Sequence, residues 1–309
     1  MKTIATLTLN PAIDGAAEAG LIRPIHKIRM SNERYDPGGG GINVARVVRE
    51  LDGDVYPIYL AGGATGGVLD ELLKARGVSG RRVPIAGHTR ISHAIFERSS
   101  GLEFRFVPDG PLVAEAEWQA CLEVIEQLDC DYLVASGSLP RGVPDDFYAF
   151  VAKICSRRNI KLVLDTSGET LRAALGQDLH LVKPSLGELE SLLDRKLSDP
   201  EAQDAAVSEL IKNGGADMIA LTLGSDGALL ATKQSMIRLA APKVEAKSAV
   251  GAGDSFLAAM TLGLAQGRAP DAAFAYGLAA GAATVLSAGT GLCRLEDVER
   301  LYTEVLQRP

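Results

Sequence analysis

Hydrophobic residues recur at the spacing of helix faces in four parts of the chain. Apolar side chains stand at positions i, i+3, i+4 and i+7 in the segments 44–51, 118–125 and 147–154, a period typical of amphipathic α-helices. Leu69, Leu72 and Leu73 form a shorter stripe ahead of Gly77, and glycine commonly follows the last residue of a helix. These patterns predict four helices that each turn one face towards a core.

Short apolar runs lie between and after these helices, and their length is typical of buried strands. They are Val55–Leu60, Tyr132–Ala135, Lys161–Leu164 and Met218–Leu223. Strands that alternate with helices indicate an α/β fold with a mainly parallel sheet that is covered on both faces. No repeat of about 20–50 residues and no low-complexity linker divides the chain, so the sequence predicts one domain over residues 1–309.

Two stretches interrupt the alternation of helices and strands. Residues 16–35 carry no helical stripe, and residues 89–107 alternate apolar and polar side chains on both sides of Ser99-Ser100-Gly101. The second pattern predicts a β-hairpin. Excursions of this kind are either plain surface flaps or flaps beside an active site, and the pattern alone leaves both readings open.

The composition predicts a globular protein with an acidic surface. Hydrophobic residues make up 47% of the chain and charged residues 23%, which excludes a disordered or collagen-like chain. The net charge is −7 and no long run of Lys or Arg occurs, so we expect no binding to nucleic acid and none to anionic membranes. An anionic ligand in a local pocket remains compatible with this charge, because a few basic side chains and helix N-termini suffice to bind it.

The first residues, the uncharged segment Ala272–Cys293 and the cysteines give no indication of export or membrane insertion. Pro11 follows the first apolar residues too soon for a signal peptide. Ala272–Cys293 is uncharged but dominated by Ala and Gly, so it would insert poorly into a bilayer and predicts a closely packed core helix instead. The four cysteines form no C-x-x-C pair and are expected to be small buried side chains in a reducing compartment. We therefore expect a cytoplasmic protein.

Several enzyme signatures are absent from the sequence. It contains no G-x-x-x-x-G-K-[ST], no G-x-G-x-x-G after a strand and no G-x-S-x-G, which argues against P-loop, dinucleotide-binding and α/β-hydrolase sites. The four histidines are scattered without the spacing of metal ligands, so a zinc site is not expected.

Three glycine-rich stretches are candidates for ligand binding. Residues 37–43 (PGGGGIN) lead into the first predicted helix, where backbone amides could approach a ligand closely; the alternative is a flexible loop with Asn43 as N-cap. Residues 61–66 (AGGATG) alone indicate only a close strand-to-helix turn. In residues 248–256 (SAVGAGDSF) a glycine loop opens a helix with Asp254 in its first turn. Amides at a helix start form an anion hole and a carboxylate there lies within reach of the anion, although an Asp at this position also simply complements the helix dipole.

A further motif follows the apolar run Leu179–Val182. In Lys183-Pro184-Ser185-Leu186-Gly187-Glu188, Ser185 and Glu188 have the spacing of a helix capping box. Capping alone would account for this segment if it stood by itself.

Taken together, these segments resemble the PfkB branch of the ribokinase superfamily. The matching pieces occur in the order of the family: Asn10–Asp14, Gly38–Asn43, Ser136–Pro140, Lys183–Pro184 and Gly251–Asp254. Within the family, residues 37–46, 61–66, 104–107 and 289–293 are closest to bacterial kinases that phosphorylate fructose 6-phosphate with ATP. Kinases of fructose 1-phosphate or tagatose 6-phosphate usually carry a Lys within the first glycine loop, where this chain has Gly40.

The resemblance implies a ribokinase-like three-layer αβα sandwich with a small β-sheet lid, formed by residues 16–35 and 89–107. It also implies a homodimer in which the lids of the two copies pair with each other. It implies transfer of a phosphoryl group from ATP to the 1-hydroxyl of fructose 6-phosphate. Tagatose 6-phosphate or fructose 1-phosphate remains an alternative substrate. A regulator that binds a sugar phosphate without catalysis is a second alternative, although such a protein would not need the Asp254 carboxylate.

The resemblance also assigns roles to individual residues. Asp254 would be the base, and the amides of Gly251, Ala252 and Gly253 would stabilise the transferred phosphoryl group. We expect the helix N-terminus to keep Asp254 ionised at neutral pH. The sugar phosphate would be bound by Asp14, Gly39, Gly40, Asn43, Arg90 and Ser138, with Lys27 near its phosphate or near a regulatory nucleotide.

ATP would lie over a second group of residues: Lys183, Ser185, Thr222, Gly224, Ser225 and Gly227. Mg²⁺ would be held through water near Glu188. A monovalent cation such as K⁺ would lie near Ser248, Val250, Ser287, Gly289 and Gly291. The chain departs from the family pattern at Ser185, where the family has Asn, and at Ser287 and Gly291, where it has bulkier or amide side chains.

Overall fold

The structure is a computed structural model that describes residues 2–307, so the outer ends of the predicted domain 1–309 lie outside the described residues. Within residues 2–307, nine strands form one sheet in the order β13-β12-β11-β10-β9-β8-β1-β4-β5. Their bounds are β1 Ile4–Thr8, β4 Val55–Gly62, β5 Arg81–Ile85, β8 Tyr132–Ser136, β9 Lys161–Asp165, β10 Leu181–Val182, β11 Met218–Thr222, β12 Ala228–Thr232 and β13 Met236–Leu239. The seven neighbouring strands β11, β10, β9, β8, β1, β4 and β5 pair in parallel. Strands β12 and β13 pair antiparallel at the β11 edge of the sheet. The predicted mainly parallel α/β sheet is confirmed.

Helices cover both faces of this sheet. They are α1 Gly40–Glu50, α2 Gly63–Ala75, α3 Glu115–Glu126, α4 Phe147–Arg157, α5 Gly168–Ala174, α6 Leu186–Leu193, α7 Pro200–Lys212, α8 Ala252–Ala265, α9 Pro270–Thr284 and α10 Leu295–Leu306. Along β8, Leu133 and Ala135 join the core under α3 to α7. Tyr132 and Val134 join the core under α1 and α8 to α10. Successive side chains of a strand point to opposite faces, so one strand contributes to both cores and the three layers follow.

The elements predicted from periodicity are present. The four helical stripes lie on α1 to α4, and Gly77 follows the last residues of α2 with φ +67°, a left-handed conformation that glycine adopts without steric cost. Helix α1 begins at Gly40 after Gly39, so Asn43 is part of the helix, and the alternative in which Asn43 is its N-cap does not apply. One detail was wrong. The predicted helix over Ala272–Cys293 ends at Thr284, where the chain enters tight turns: Leu286 N–H donates to Ala283 O at 3.2 Å and Ser287 N–H to Thr284 O at 2.9 Å.

A second sheet of four strands, in the order β3-β2-β6-β7, lies over the carboxyl end of β1. Its strands are β2 Ala12–Ala19, β3 Met30–Gly38, β6 Arg90–Glu97 and β7 Leu102–Phe106. The hairpin predicted around Ser99-Ser100-Gly101 is the antiparallel pair β6–β7. The first excursion is longer than residues 16–35, since β2 already begins at Ala12, where small buried side chains give no alternating pattern. We refer to these four strands as the lid.

The cysteines and the helices agree with the predicted core. Cys121, Cys155 and Cys293 are buried and Cys130 is half-buried, and all four are free thiols. Among residues 2–307, no helix is both long and apolar enough to cross a membrane.

Candidate active site

A cavity of about 260 Å³ lies between the lid and the carboxyl ends of the main sheet. Residues of the lid, of the start of α1 and of the start of α8 line it. The predicted site residues among them are Asp14, Gly39, Gly40, Asn43, Arg90, Val250, Gly251 and Asp254. The fold therefore brings five of the seven predicted sugar-binding residues and the predicted base to one place, although they are up to 240 positions apart in the sequence.

Asp254 lies in the first turn of α8, which Gly251 opens in a left-handed conformation with φ +76°. Asn43 donates a hydrogen bond from Nδ2 to Oδ2 of Asp254 at 3.0 Å, and the Ser136 hydroxyl lies 3.5 Å from Oδ1. The pKa of Asp254 is raised to about 7, mainly by burial and also by the nearby Asp165 carboxylate, while Asn43 and Lys183 oppose this increase. The expectation that the helix N-terminus keeps Asp254 ionised at neutral pH was wrong, because burial raises the pKa into the neutral range. A carboxylate with a pKa near the working pH is well suited to accept a proton.

An ion pair lies directly behind the start of α8. Asp165, the last residue of β9, accepts from the ammonium group of Lys183 at 3.2 Å between Oδ2 and Nζ, and Lys183 is buried. Burial lowers the pKa of Lys183, but the carboxylates of Asp165, Glu188 and Asp254 together outweigh burial and raise the pKa above its usual value. A Cβ atom added to Gly253 would lie 3.3 Å from Lys183 Nζ. The ammonium group therefore adjoins the helix N-terminus, and both favour an anion at this place.

The first glycine stretch is required by close packing. A side chain on Gly40 would collide with Ser136, and one on Gly41 would collide with the carbonyl group of Leu7. The start of α1 therefore lies directly against the ends of β1 and β8, and this contact brings Asn43 beside Asp254. Gly39 precedes the helix with φ +106°, a conformation that side chains other than glycine rarely adopt.

Two arginine side chains, Arg90 and Arg105, bring positive charge to the cavity. Arg90 on β6 donates to the carbonyl oxygens of Asn10 at 2.8 Å and Pro108 at 2.9 Å, which fix its guanidinium group. Arg105 on β7 lines the same cavity but was not singled out from the sequence. Burial raises the pKa of Asp14, while Arg46, Arg90 and Arg105 oppose this increase.

Two of the predicted sugar-binding residues lie elsewhere. Lys27 is exposed in the connection between β2 and β3 and does not line the cavity of its own chain, so its role towards the phosphate or a regulatory nucleotide stays a prediction. Ser138 is also exposed and outside the lining residues, but its hydroxyl group accepts from Asn10 Nδ2 at 3.4 Å.

The predicted ATP-binding residues share one edge of the main sheet. Thr222 ends β11, and its backbone N–H donates to Pro184 O at 2.9 Å, which joins it to the segment that begins at Lys183. Ser185 caps α6: Glu188 N–H donates to its hydroxyl group at 3.3 Å and Ser185 N–H donates to Glu188 Oε2 at 2.7 Å. The predicted capping box is confirmed. Gly224 and Ser225 form a turn that ends at Gly227, whose φ of +111° requires glycine.

Glu188 fits the expected role towards Mg²⁺. Its Oε2 atom is engaged in the capping box, and Oε1 accepts no hydrogen bond from the part of the chain that the structure describes. A carboxylate oxygen left free in this way can bind water of a hydrated Mg²⁺, which retains most of its water ligands in proteins.

The predicted cation-binding residues lie on two adjoining loops. The loop before α8 carries Ser248 and Val250, and the loop after α9 carries Ser287, Gly289 and Gly291; Lys247 N–H joins the loops by donating to Val285 O at 2.7 Å. Ser248 and Ser287 offer neutral hydroxyl oxygens, and these loops contain carbonyl groups but no carboxylate between residues 246 and 253 or 285 and 293. Neutral oxygen ligands fit a monovalent cation. Within residues 2–307, no group of three His, Cys, Asp or Glu side chains is arranged to hold a metal ion.

A buried charge cluster connects the lid to the rest of the site, and sequence reasoning missed it. Asp36 on β3 accepts from Arg46 at 3.3 Å, from the Thr290 hydroxyl at 2.9 Å and from Arg76. Arg46 also donates to Asn43 Oδ1 at 3.2 Å. A continuous series of hydrogen bonds therefore runs from Asp36 through Arg46 and Asn43 to Asp254.

Comparison with known proteins agrees with this arrangement. The model of the pfkB family of carbohydrate kinases matches residues 8–297. An ATP-dependent 6-phosphofructokinase isozyme 2 of Mycobacterium tuberculosis is 43% identical over 301 residues, which cover 97% of this chain and 88% of that protein. The protein of the same name from Escherichia coli is 37% identical over 304 residues, 98% of each chain.

Solved structures show the same likeness. A crystal structure of phosphofructokinase-2 from E. coli in complex with potassium superimposes with a TM-score of 0.96 at 36% identity and covers 99% of this chain and 100% of that one. Other structures of that protein contain fructose-6-phosphate or are of its tetrameric inhibited form, each with a TM-score of 0.94. A ribokinase from Arabidopsis thaliana, 20% identical with a TM-score of 0.76 over 97% of this chain and 98% of that one, shares the fold. The expected ribokinase-like sandwich is confirmed.

Proposed function

This chain belongs to the PfkB family of carbohydrate kinases, and on that premise we propose that it transfers the γ-phosphoryl group of ATP to the 1-hydroxyl of fructose 6-phosphate. The observation that carries the proposal is one cavity lined both by the Asp254 carboxylate and by the Arg90 and Arg105 guanidinium groups. A hexose phosphate bound across it would present a hydroxyl group to the carboxylate and its phosphate to the guanidinium groups. Arginine binds phosphate through two parallel hydrogen bonds, so the sugar would be held at both ends.

In this mechanism Asp254 accepts the proton of the attacking hydroxyl group. Asn43 holds the carboxylate through its hydrogen bond to Oδ2, which leaves Oδ1 to face the sugar. Asp14, Gly39 and Gly40 would bind other sugar hydroxyl groups. Positioning of both substrates supplies most of the catalysis in phosphoryl transfer.

Charge that develops on the transferred group would be stabilised from the opposite side. The amides of Gly251, Ala252 and Gly253 open α8, and the Lys183 ammonium group lies beside them. Mg²⁺, held through water by Glu188, would neutralise phosphate charge when it is bound. ATP would extend from Lys183 over Ser185 and Thr222 towards Gly224, Ser225 and Gly227. K⁺ held near Ser248, Val250, Ser287, Gly289 and Gly291 would add positive charge close to the same helix start.

A substrate panel tests the proposal. We expect ADP release, measured with Mg²⁺ and equal sugar concentrations, to be fastest with fructose 6-phosphate and slower with fructose 1-phosphate, tagatose 6-phosphate, fructose and ribose. Higher turnover with an unphosphorylated sugar would refute the assignment, and sugar-independent background rates throughout would favour a binding protein without catalysis. Higher turnover with one of the other two phosphates would move the assignment to that substrate.

The Arg105→Gln variant tests the orientation of the sugar. A charge-assisted hydrogen bond contributes about 1.5–3 kcal/mol, so the KM for fructose 6-phosphate should rise about 10- to 100-fold with a smaller change in the rate with fructose. Arg98→Gln is the matched control, because Arg98 lies in the turn between β6 and β7 and pairs with Glu18 outside the cavity. Equal KM values for both variants would contradict the proposed orientation.

We also propose that the lid pairs with the lid of a second copy. Leu102, Phe104 and Phe106 alternate along β7 on one face of the lid, with 61%, 37% and 53% of their surfaces exposed. Such an apolar strip at a sheet edge favours association. Sedimentation should show a dimer that Phe104→Glu dissociates. Leu306→Glu, a change at a residue 58% exposed on α10, should leave it intact, and dissociation by Leu306→Glu or none by Phe104→Glu would contradict lid pairing.

A further inference from the structure

A second cavity lies at the amino ends of the parallel strands, on the edge of the main sheet away from the candidate active site. Its volume is about 490 Å³, within the range of small-molecule sites. Tyr132 begins β8, Lys161 begins β9 and Met218 begins β11, and all three line it. The opposite ends of the same strands, at Ser136, Asp165 and Thr222, belong to the candidate active site. A five-residue strand spans about 13 Å at its usual rise, so the two cavities are separate.

Four cationic side chains line this second cavity: Lys2, Lys161, Lys233 and Arg268. Asp217 is the one acidic residue among the lining residues of the described chain. Its Oδ1 atom lies 3.7 Å from Lys233 and its Oδ2 atom 3.3 Å from His180 Nδ1. Four cationic groups against one carboxylate make the cavity positive on a chain whose net charge is −7.

Three of these cationic groups have no carboxylate in direct contact. Lys2, Lys161 and Arg268 form no ion pair with any carboxylate in residues 2–307. Their side chains lie over aromatic rings instead: Lys2 and Lys161 have Nζ 5.8 and 5.4 Å from the centre of the Tyr132 ring, and the Arg268 guanidinium group is 4.1 Å from that of Tyr276. These contacts fix the positive groups without consuming their charge or their hydrogen-bond donors.

One further group extends the set of donors. His180 packs its ring against Tyr132 at 5.9 Å between centroids and is 15% exposed, and burial together with Lys161 lowers its pKa. The imidazole ring is therefore neutral and able to take up a proton when an anion arrives.

We propose that this second cavity binds a small phosphate-bearing anion at a site distinct from the site of phosphoryl transfer. Lysine and arginine side chains that converge on a cavity of this size are the donors that phosphate groups require. The aromatic floor and the half-buried His180 favour a ligand that enters the cavity over one that rests on its rim. The inference does not depend on the proposed sugar kinase activity, because the two sites share no lining residue.

Histidine NMR resonances distinguish the two sites. His180 lines the second cavity and His93 lines the candidate active site, and His180→Gln and His93→Gln variants assign their signals. Titration with inorganic pyrophosphate should shift the His180 signal to saturation and raise its pKa, whether or not the His93 signal also moves. A shift confined to His93, or no saturation at His180, would overturn the proposal.

Charge variants test whether the lining side chains bind the anion. Lys161→Ala/Arg268→Ala should weaken the His180 titration at least tenfold, while Lys153→Ala/Arg195→Ala, which removes the same charge at residues outside both cavities, should not. The milder pair Lys161→Gln/Lys233→Gln serves if the first variant does not fold, and an unchanged rate of ADP release verifies an intact active site. Equal affinities in all variants would show that pyrophosphate binds elsewhere, and the proposal would fail.

Discussion

Replacing Asp254 with Asn removes one titratable group from the candidate active site with almost no change in shape. An amide oxygen at the same place can accept the hydrogen bond that Asn43 Nδ2 now donates to Asp254 Oδ2. Asn also preserves the packing of the first turn of α8. The substitution therefore isolates proton acceptance from positioning, which a change to Ala would not do.

The effect on activity follows from the role of a general base. A positioned base contributes about 10²- to 10⁴-fold to the rate, so kcat of Asp254→Asn should fall by about that factor with little change in KM for ATP. In the unsubstituted protein, kcat/KM for the sugar should rise with pH through an apparent pKa near 7, since the base must lose its own proton first.

The effect on stability has the opposite sign. Asp254 has a pKa of about 7 in the folded chain against 3.8 for an ordinary Asp, so the folded state binds the proton more tightly than the unfolded state. Its contribution to stability is fully present below pH 4 and is lost as the pH rises through 7. At about 1.4 kcal/mol per pKa unit, the upper limit of this loss is about 4 kcal/mol. Asp254→Asn has no such loss, so it should be more stable than the unsubstituted protein at pH 8 and similar to it near pH 4.5.

Urea unfolding at pH 4.5, 6 and 8, together with steady-state kinetics, measures both effects. Asp271→Asn is the matched control, because Asp271 also stands in the first turn of a helix but is exposed outside the cavity. The control should leave kcat unchanged and show no gain in stability at pH 8. If Asp254→Asn kept most of its kcat, Asp254 would not be the base and Asp14 would be the next candidate. If its advantage in stability did not grow with pH, the pKa of Asp254 would not be raised in the folded chain.

Three further predictions follow from other parts of the structure. Ser185→Asn should lower the Mg²⁺ concentration for half-maximal rate, because the longer amide side chain reaches further towards a bound water. The free energy of unfolding should change by only a few tenths of a kcal/mol, since both residues cap helices well. A higher Mg²⁺ requirement in a kinetic titration would contradict this prediction. Asp36→Asn should cost about 3–5 kcal/mol in urea unfolding, because it leaves the buried Arg46 without its carboxylate, and a loss below 1 kcal/mol would show that the remaining hydrogen bonds suffice. Burial raises the pKa of the Cys121 thiol to about 12, so alkylation of Cys121 at pH 8, followed by mass spectrometry, should require unfolding; rapid labelling of the native protein would refute this.

Much of the fold could be predicted because its signals are local. Hydrophobic period alone located α1 to α4 and four strands of the main sheet. The alternation along 89–107 located the hairpin β6–β7. The order of the glycine-rich motifs then gave the family, and the family gave the main site residues that line the cavity, from Asp14 to Asp254.

The parts that could not be predicted depend on contacts between distant segments. Asp165 carries no motif, yet the register of β8, β9 and β10 places it against Lys183. In the sequence, Arg105 is an ordinary charged residue of a predicted hairpin. Only the pairing of β7 with β6, in which Arg105 lies opposite Ala94, places it in the lining of the cavity. The pKa of Asp254 reverses the sequence-based expectation, because the extent of burial depends on how the lid, α1 and β8 surround the carboxylate.

The hydrogen bonds that run from Asp36 to Asp254 explain how the lid and the base are positioned together. An arginine side chain can only donate hydrogen bonds, so Arg46 must face the side-chain oxygen Oδ1 of Asn43. This leaves the side-chain nitrogen Nδ2 of Asn43 to donate to Asp254. Asp36 in turn holds Arg46 and, through Thr290, the loop that follows α9. Because Asp36 lies on β3, one edge strand of the lid, the hydrogen bonds that orient the Asp254 carboxylate begin on the lid itself.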